Sequence, residues 1–220
     1  MSNKNRIHAE FKNPTFTIIG DGETEKWYFD MLQRTEKDLN IVISPRLTVK
    51  KTLEEQFKNV ISESEKRKIY KKDQVFWIID FDTILSETRE AKKGKKPASQ
   101  EFKEYYEKLK KRDNVKIIIN NPCLEFWFLL HFKEIGRFFN NCDDAKKELQ
   151  KHLTDYKKDE KYFKKQNNDI YLRLKPHRNT ALVNAKKLLE FNFEYPNKSV
   201  SEMYVLFETL FPETNKNKRD

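Results

Sequence analysis

The sequence predicts an α/β fold with a largely parallel sheet, and three observations predict it. The short runs Phe16–Ile19, Val75–Ile79 and Val115–Ile119 are apolar but for Thr17 and Lys116 rather than strictly alternating, as in strands covered on both faces. Amphipathic stretches lie between them, such as Trp27, Tyr28, Met31 and Leu32, or Leu53, Phe57, Val60 and Ile61, at helical spacing. Each of the three runs is also followed closely by acidic residues. Strand and helix in alternation make a parallel layer, and ligand sites in such layers form beyond the carboxyl ends of the strands.

The elements follow in chain order. Thr15–Ile19 reads as the first strand, rich in β-branched and aromatic residues. Gly20 and Gly22, two of only four glycines in the chain, flank Asp21. Glu23, Thr24 and Glu25 then open a helix reaching about Glu36. Glycine permits close backbone approach, so either this turn has a special geometry or its acids only complement a helix N-terminus. Ile41–Ser44 is a second strand, and Thr52–Lys71 a long amphipathic helix. Gln74–Ile79 is a strand, followed by Asp80-Phe81-Asp82 and a Lys-dense loop, Ser86–Ser99. Glu101–Arg112 is a charged helix and Val115–Ile119 a strand. Asn121 is the expected N-cap and Pro122 the first helical residue of a buried helix, Cys123–Phe132. Charged helices are expected over Asp143–Lys165 and Asp169–Leu174, broken by Pro176. Asn179–Phe191 and Ser199–Phe211 complete the helices.

The 220 residues suit one large domain with an appended part. The expected division is a flexible arm over 1–14, the α/β domain over 15–135, a helical part packed on it over 136–212, and a polar tail over 213–220. With 37% apolar and 36% charged residues, the surface is wet. The net charge of +10 favours polyanionic partners, although a Lys-rich composition also produces it. No apolar run reaches the ~18 residues of a membrane span, and the polar first residues show no signal-peptide core. Cys123 and Cys142 alone make no disulfide framework or zinc cluster. A cytoplasmic location and no membrane partner are therefore expected, with Cys123 packed.

The acids carry the chemistry. Asp21 follows the first strand, Asp80 and Asp82 follow the third, and Glu125 lies in the first turn of the helix after the Val115–Ile119 strand. Residues i and i+2 of an extended segment share a face, so Asp80 and Asp82 can present two carboxylates together. Oxygen ligands without a His/Cys cluster suit Mg²⁺ or Mn²⁺. A D-x-D after a strand is often only a turn former, and each acid alone reads more readily as bland than as catalytic. Their joint placement shifts the balance.

Here the residues resemble a family. Gly20-Asp21-Gly22-Glu23-Thr24-Glu25 with Tyr28-Phe29 resembles the opening motif of RloB-like proteins, which carry a Toprim-type catalytic domain. Asp80-Phe81-Asp82 is similar to the Toprim D-x-D. Asn121-Pro122-Cys123-Leu124-Glu125-Phe126-Trp127 through Phe132 closely resembles the family's most specific block, and Tyr195–Ser199 its lead into the last helix. The resemblance runs from Phe16 to about Phe207. It implies a Toprim-like, Rossmann-like sheet and metal-dependent cleavage of nucleic acid in antiviral defence, of the abortive-infection kind. It also implies an ATPase from a neighbouring gene as partner. One departure is that the family's first acid is normally Glu where this chain has Asp21, shorter by one methylene; Glu23 or Glu25 can substitute.

The expected site is therefore Asp21, Asp80 and Asp82 as metal ligands, with Glu25 and Glu125 supporting. Lys92, Lys93, Lys95 and Lys96, and Arg173, Lys175, His177 and Arg178, are candidate phosphate contacts or solvated surface. His131 reads as a core histidine, and Trp27, Trp77 and Trp127 as core. The functional expectation is a Toprim-type nuclease acting on DNA, RNA or tRNA, with a homo-oligomer left open. The competing reading is a non-catalytic nucleic-acid-binding or ATPase-partner subunit. A nucleotide-handling enzyme on the same fold is weaker, and no P-loop is present.

Overall fold

A computed structural model describes residues 13–20, 22–44, 51–68, 70, 72–92 and 94–212. Asp21, Lys93, most of the expected arm and the expected tail lie outside the described residues. The chain is mixed α/β, with a five-stranded sheet ordered β2-β1-β3-β4-β5. The strands are β1 (Thr15–Ile19), β2 (Asn40–Ser44), β3 (Gln74–Asp80), β4 (Val115–Asn121) and β5 (Val200–Ser201). The first four run parallel, and β5 pairs antiparallel with the end of β4.

Helices flank this sheet on both faces. They are α1 (Glu23–Thr35), α2 (Leu53–Arg67), α3 (Phe81–Arg89), α4 (Ala98–Leu109), α5 (Leu124–Leu130), α6 (Cys142–Leu149), α7 (Glu160–Phe163), α8 (Ile170–Leu174), α9 (Arg178–Lys187) and α10 (Met203–Leu210). Alternate strand residues divide between two cores, as the period-2 geometry of a strand requires. Phe16, Ile18, Phe76, Ile78 and Ile118 pack with α1, α5 and the C-terminal helices. Ile19, Val75, Trp77, Ile79 and Ile119 pack with α2, α3 and α4. Each buried residue of these strands removes about 1.5–3 kcal/mol worth of apolar side chain from water, which is why the runs read as continuous. Trp77 also satisfies its indole, donating Nε1–H to Gln56 at 3.0 Å.

From β1 the chain steps to β2 on one side, then crosses to β3 on the other. The order therefore reverses between β1 and β3, where open α/β sheets form their crevice. The residues just beyond these two strands are Gly20–Glu25 and Asp80–Asp82.

Several boundaries differ from the sequence expectation, each for a local reason. The expected loop from Ser86 is still helix, because α3 starts directly at Phe81 and runs to Arg89. Asn121 is not an N-cap. It ends β4, precedes a cis Asn121–Pro122 bond, and leaves Cys123 as the N-cap of α5. Its side-chain amide instead donates to the Pro196 and Lys198 carbonyls at 2.7 and 2.8 Å, joining two blocks far apart in sequence. Val200–Ser201 adds a short strand before the last helix, with Ser201 Oγ donating to Asn120 Oδ1 at 2.7 Å. The charged segment Asp143–Lys165 is interrupted, with helix only at α6 and α7. No helix among the described residues is long and apolar enough to cross a membrane.

Candidate active site

The site begins with the glycine turn after β1. A Cβ placed on Gly22 would lie 2.0 Å from Glu25 Oε2 and 3.0 Å from Glu25 Cδ. One on Gly20 would lie 3.2 Å from Glu25 Cβ. Both glycines therefore make room for one glutamate, which lies buried in the first turn of α1. Gly22 itself has ordinary extended backbone, so what the glycines supply is the space that Glu25 occupies.

The end of β3 supplies the second arm. Asp80 is the N-cap of α3, yet its side chain makes no capping hydrogen bond. An Asp in that position usually caps the helix. Here Oδ1 is buried without a hydrogen-bond partner, and the carboxylate faces other carboxylates instead. Asp82 lies on the first turn of α3, so the two acids are not successive positions of one extended strand as the i, i+2 reading had it. They are brought near one another by the strand-to-helix transition.

The end of β4 closes the arrangement. The amide of Asp82 donates to the Pro122 carbonyl at 3.1 Å, which ties the start of α3 to the turn before α5. That turn places Glu125, 0% exposed, in the first turn of α5. Ligand-type atoms of Asp80, Cys123 and Glu125 lie within 4.8 Å of one another. The same holds for Asp82, Cys123 and Cys142.

Sequence reasoning missed three contributors. Lys158 Nζ lies 3.0 Å from Glu125 Oε1, and Tyr156 donates its hydroxyl to the same oxygen at 3.0 Å. The third is Cys142, which is disulfide-bonded to Cys123. Its amide donates to Asp82 Oδ2 at 3.2 Å, so Asp82 satisfies an otherwise orphaned N–H at the start of α6. Its Sγ lies 3.0 Å from Glu125 Oε2, a contact and not a hydrogen bond, since a disulfide sulfur carries no proton. The pairing corrects the expectation that the two cysteines make no disulfide framework and that Cys123 only packs: 19 residues separate them in sequence, and the turn before α5 and the start of α6 bring them together. No sequence signal distinguished Lys158 from the lysines around it.

The electrostatics are unbalanced. Burial first, then the charges of Glu25, Glu125 and Asp82, push Asp80 well above the ordinary carboxyl range, and Lys158 only partly opposes them. Asp82 is also raised by burial, against the Cys142 N–H and Lys158. Burial works to lower Lys158, but Glu125 above all, then Asp80 and Glu25, hold its ammonium above its usual value. Tyr156 is raised by burial and by Glu125, so its hydroxyl stays a donor. Among the described residues, Glu25, Asp80, Asp82 and Glu125 thus face one ammonium.

The other candidates lie elsewhere in function or place. His131 is buried, pushed down to about 3 chiefly by burial, with Nδ1 2.9 Å from the Trp127 carbonyl. It is a neutral core residue. Trp77 and Trp127 are fully buried and Trp27 partly so. Arg173 makes a two-pronged pair with Asp155 at 2.7 and 3.1 Å. Lys175 lies 2.9 Å and Arg178 4.0 Å from Glu36, and the His177 ring packs on Phe132. Lys96 pairs with Glu104 at 2.5 Å.

The family model for RloB-like proteins matches residues 16–210. No curated protein and no solved structure matches the chain. The matched span takes in β1 through α10 and every described residue of the carboxylate cluster, and the chain belongs to the RloB-like protein family.

Proposed function

We propose that this protein is a divalent-metal-dependent nuclease of the Toprim type, hydrolysing phosphodiesters of DNA or RNA, tRNA included, in bacterial antiviral defence. The observation that carries the reading is the excess of carboxylates over cations among the described residues at the strand-order reversal, with a buried Asp80 oxygen lacking a hydrogen-bond partner among them. An unsatisfied buried acceptor costs about 1–3 kcal/mol, a cost that a bound cation would relieve. A hard cation fits the donors: Asp80, Asp82 and Glu125 would hold Mg²⁺ or Mn²⁺, with Asp21 completing the set. Bound there, the cation supplies neutralisation of the carboxylates and polarisation of the phosphodiester.

The chain's own residues do the rest. Lys158 and Tyr156 hold Glu125 from one side and fix its orientation. Glu25, seated against Gly22, is the acid without an assigned ligand role and the candidate base. The defence role and an ATPase partner rest on the family and not on the site. Purified protein incubated with labelled DNA, RNA and tRNA, in Mg²⁺, Mn²⁺ or EDTA, tests the reading. Cleavage that needs the metal and disappears in Asp80→Ala is expected. No cleavage of any substrate, or equal cleavage by the variant, overturns it. Co-purification with an ATPase in the absence of cleavage would move the chain to the subunit reading.

A further inference from the structure

We infer that the two cysteines, once their disulfide is opened, form with Asp82 and Glu125 a mixed thiolate–carboxylate site for a thiophilic divalent cation such as Zn²⁺. The sulfurs are not remote staples. Both belong to groups of ligand-type atoms within 4.8 Å of one another, Cys123 with Asp80 and Glu125, and Cys123 and Cys142 with Asp82. Cys142 Sγ already touches Glu125 Oε2 at 3.0 Å. In a tetrahedral zinc site, bond lengths of about 2.0–2.3 Å put ligand atoms roughly 3–4 Å apart; the Cys142–Glu125 contact is already at that separation, and the other ligand atoms reach it by small side-chain shifts once the disulfide opens. Asp80, whose Oδ1 is buried without a hydrogen-bond partner, adjoins Cys123 and Glu125 in the same pocket. Cys123 is buried, but Cys142 is partly exposed, which gives a reductant and an ion a way in.

The chemistry balances. A dithiol reductant gives two electrons and two protons, the Cys123–Cys142 bond breaks, two thiols form, and the reductant leaves as its own disulfide. Cation capture then releases the two thiol protons. Thiolates favour Zn²⁺ over Mg²⁺ strongly, whereas carboxylates alone favour the harder ions. Opening the disulfide therefore changes which metal the cluster selects. Because Asp82 and Glu125 are shared, a captured zinc ion would also compete with the hard cation of the proposed nuclease; that consequence rests on the nuclease reading, while the binding does not.

The test uses the full chain, stripped of metal, in oxidised form and after reduction under anaerobic conditions, titrated with Co²⁺ and followed by absorbance. The reduced protein is expected to take up one Co²⁺ with a thiolate-to-cobalt charge-transfer band. Zn²⁺ should displace the Co²⁺, and a large excess of Mg²⁺ should not. The oxidised protein should show no band. The double variant Cys123→Ser with Cys142→Ser, checked for folding by circular dichroism, should lose the band, and Asp82→Asn should weaken binding by roughly tenfold or more. A reduced wild-type protein without the band, a band that survives the double variant, or a disulfide that native reduction leaves closed would each overturn the inference. None of these readouts uses cleavage, so they stand or fall apart from the nuclease reading.

Discussion

Two partly buried acids in this molecule meet opposite fates. At Glu36, burial works to raise the carboxyl, but Tyr171 and Lys175 donate to it at 2.7 and 2.9 Å, Arg178 adds its charge, and the acid ends below its ordinary value. At Asp80, burial is the largest cause again, yet the neighbours are mostly other acids and the carboxyl ends far above its ordinary value. The first cluster is nearly closed: its acceptor is answered by Tyr171 and Lys175, and only Arg178 Nη1 is left without a hydrogen-bond partner. The second is left open by the fold. The difference shows that burial alone does not make a site; what matters is whether the surroundings answer the charge they bury.

Asp80→Asn breaks the comparison hardest. Removing one charge from the open cluster should abolish metal-dependent cleavage, by on the order of 10²–10³-fold if a few kcal/mol of charge stabilisation is lost. The same change should raise metal-free stability by roughly 0.5–2 kcal/mol, as repulsion is relieved. The sign with pH follows. A carboxyl raised in the folded state stabilises fully below its unfolded value, and that stability is lost as pH rises through the folded value. Metal-free wild-type protein should therefore weaken as pH rises above the ordinary Asp range, and Asp80→Asn should flatten that slope in thermal melts. A variant less stable than wild type at neutral pH would show that the cluster is balanced after all.

Glu202 separates burial from crowding. It is raised to about 7 by burial, against N–H donors from Ile119 and Phe191 at 3.0 and 3.1 Å, with only Glu190 adding like charge. Its folded value lies above the ordinary one, so its contribution to stability is full below about 4.5 and is lost as pH rises to about 7. The difference in unfolding free energy between wild type and Glu202→Gln should fall across that window, by a few kcal/mol at most at about 1.4 kcal/mol per pK unit. Urea melts at pH 5 and pH 8 measure it. A divalent cation should leave this slope alone while removing the Asp80 slope.

These contrasts also mark what was legible in the sequence. The parallel sheet was legible because Phe16–Ile19, Val75–Ile79 and Val115–Ile119 are largely buried on both faces and are apolar but for Thr17 and Lys116. Asp80, Asp82, Glu25 and Glu125 were legible because each sits next to a strand end, a position that sequence order reveals. Lys158 and Tyr156 were not legible. They reach Glu125 from an irregular segment 31 residues or more downstream, held by tertiary contacts with no periodic signature. The disulfide was hidden for the same reason. The role of Gly22 was half visible: its scarcity marked the turn, but only packing shows that Glu25 fills the space a side chain would take.

Lys158→Ala sharpens the comparison from the cation side. Without Lys158, the buried Glu125 keeps among the described residues the Tyr156 hydroxyl but no ammonium, and metal-free stability should fall by roughly 1–3 kcal/mol. Mg²⁺ or Mn²⁺ should restore most of the loss, because the ion replaces the missing charge. Differential scanning fluorimetry with and without the metal measures both effects. A loss that the ion does not repair would make Lys158 a packing residue.

Glu36→Gln should have the smallest effect and the opposite sign to Asp80→Asn. It leaves Lys175 and Arg178 without their shared carboxylate while Tyr171 keeps an amide oxygen to donate to. Because this cluster is partly solvated, the loss should stay below about 1 kcal/mol. A carboxyl held below its ordinary value stabilises above the unfolded value and stops doing so as pH falls through the folded one. The effect should therefore be present at neutral pH, vanish in acid, and shrink in high salt. Metal binding and cleavage should not change, since Glu36 lies at the far end of α1 from Glu25. If Glu36→Gln instead stabilised the metal-free protein as Asp80→Asn does, the closed cluster would be as frustrated as the open one, and charge imbalance would no longer single out the site.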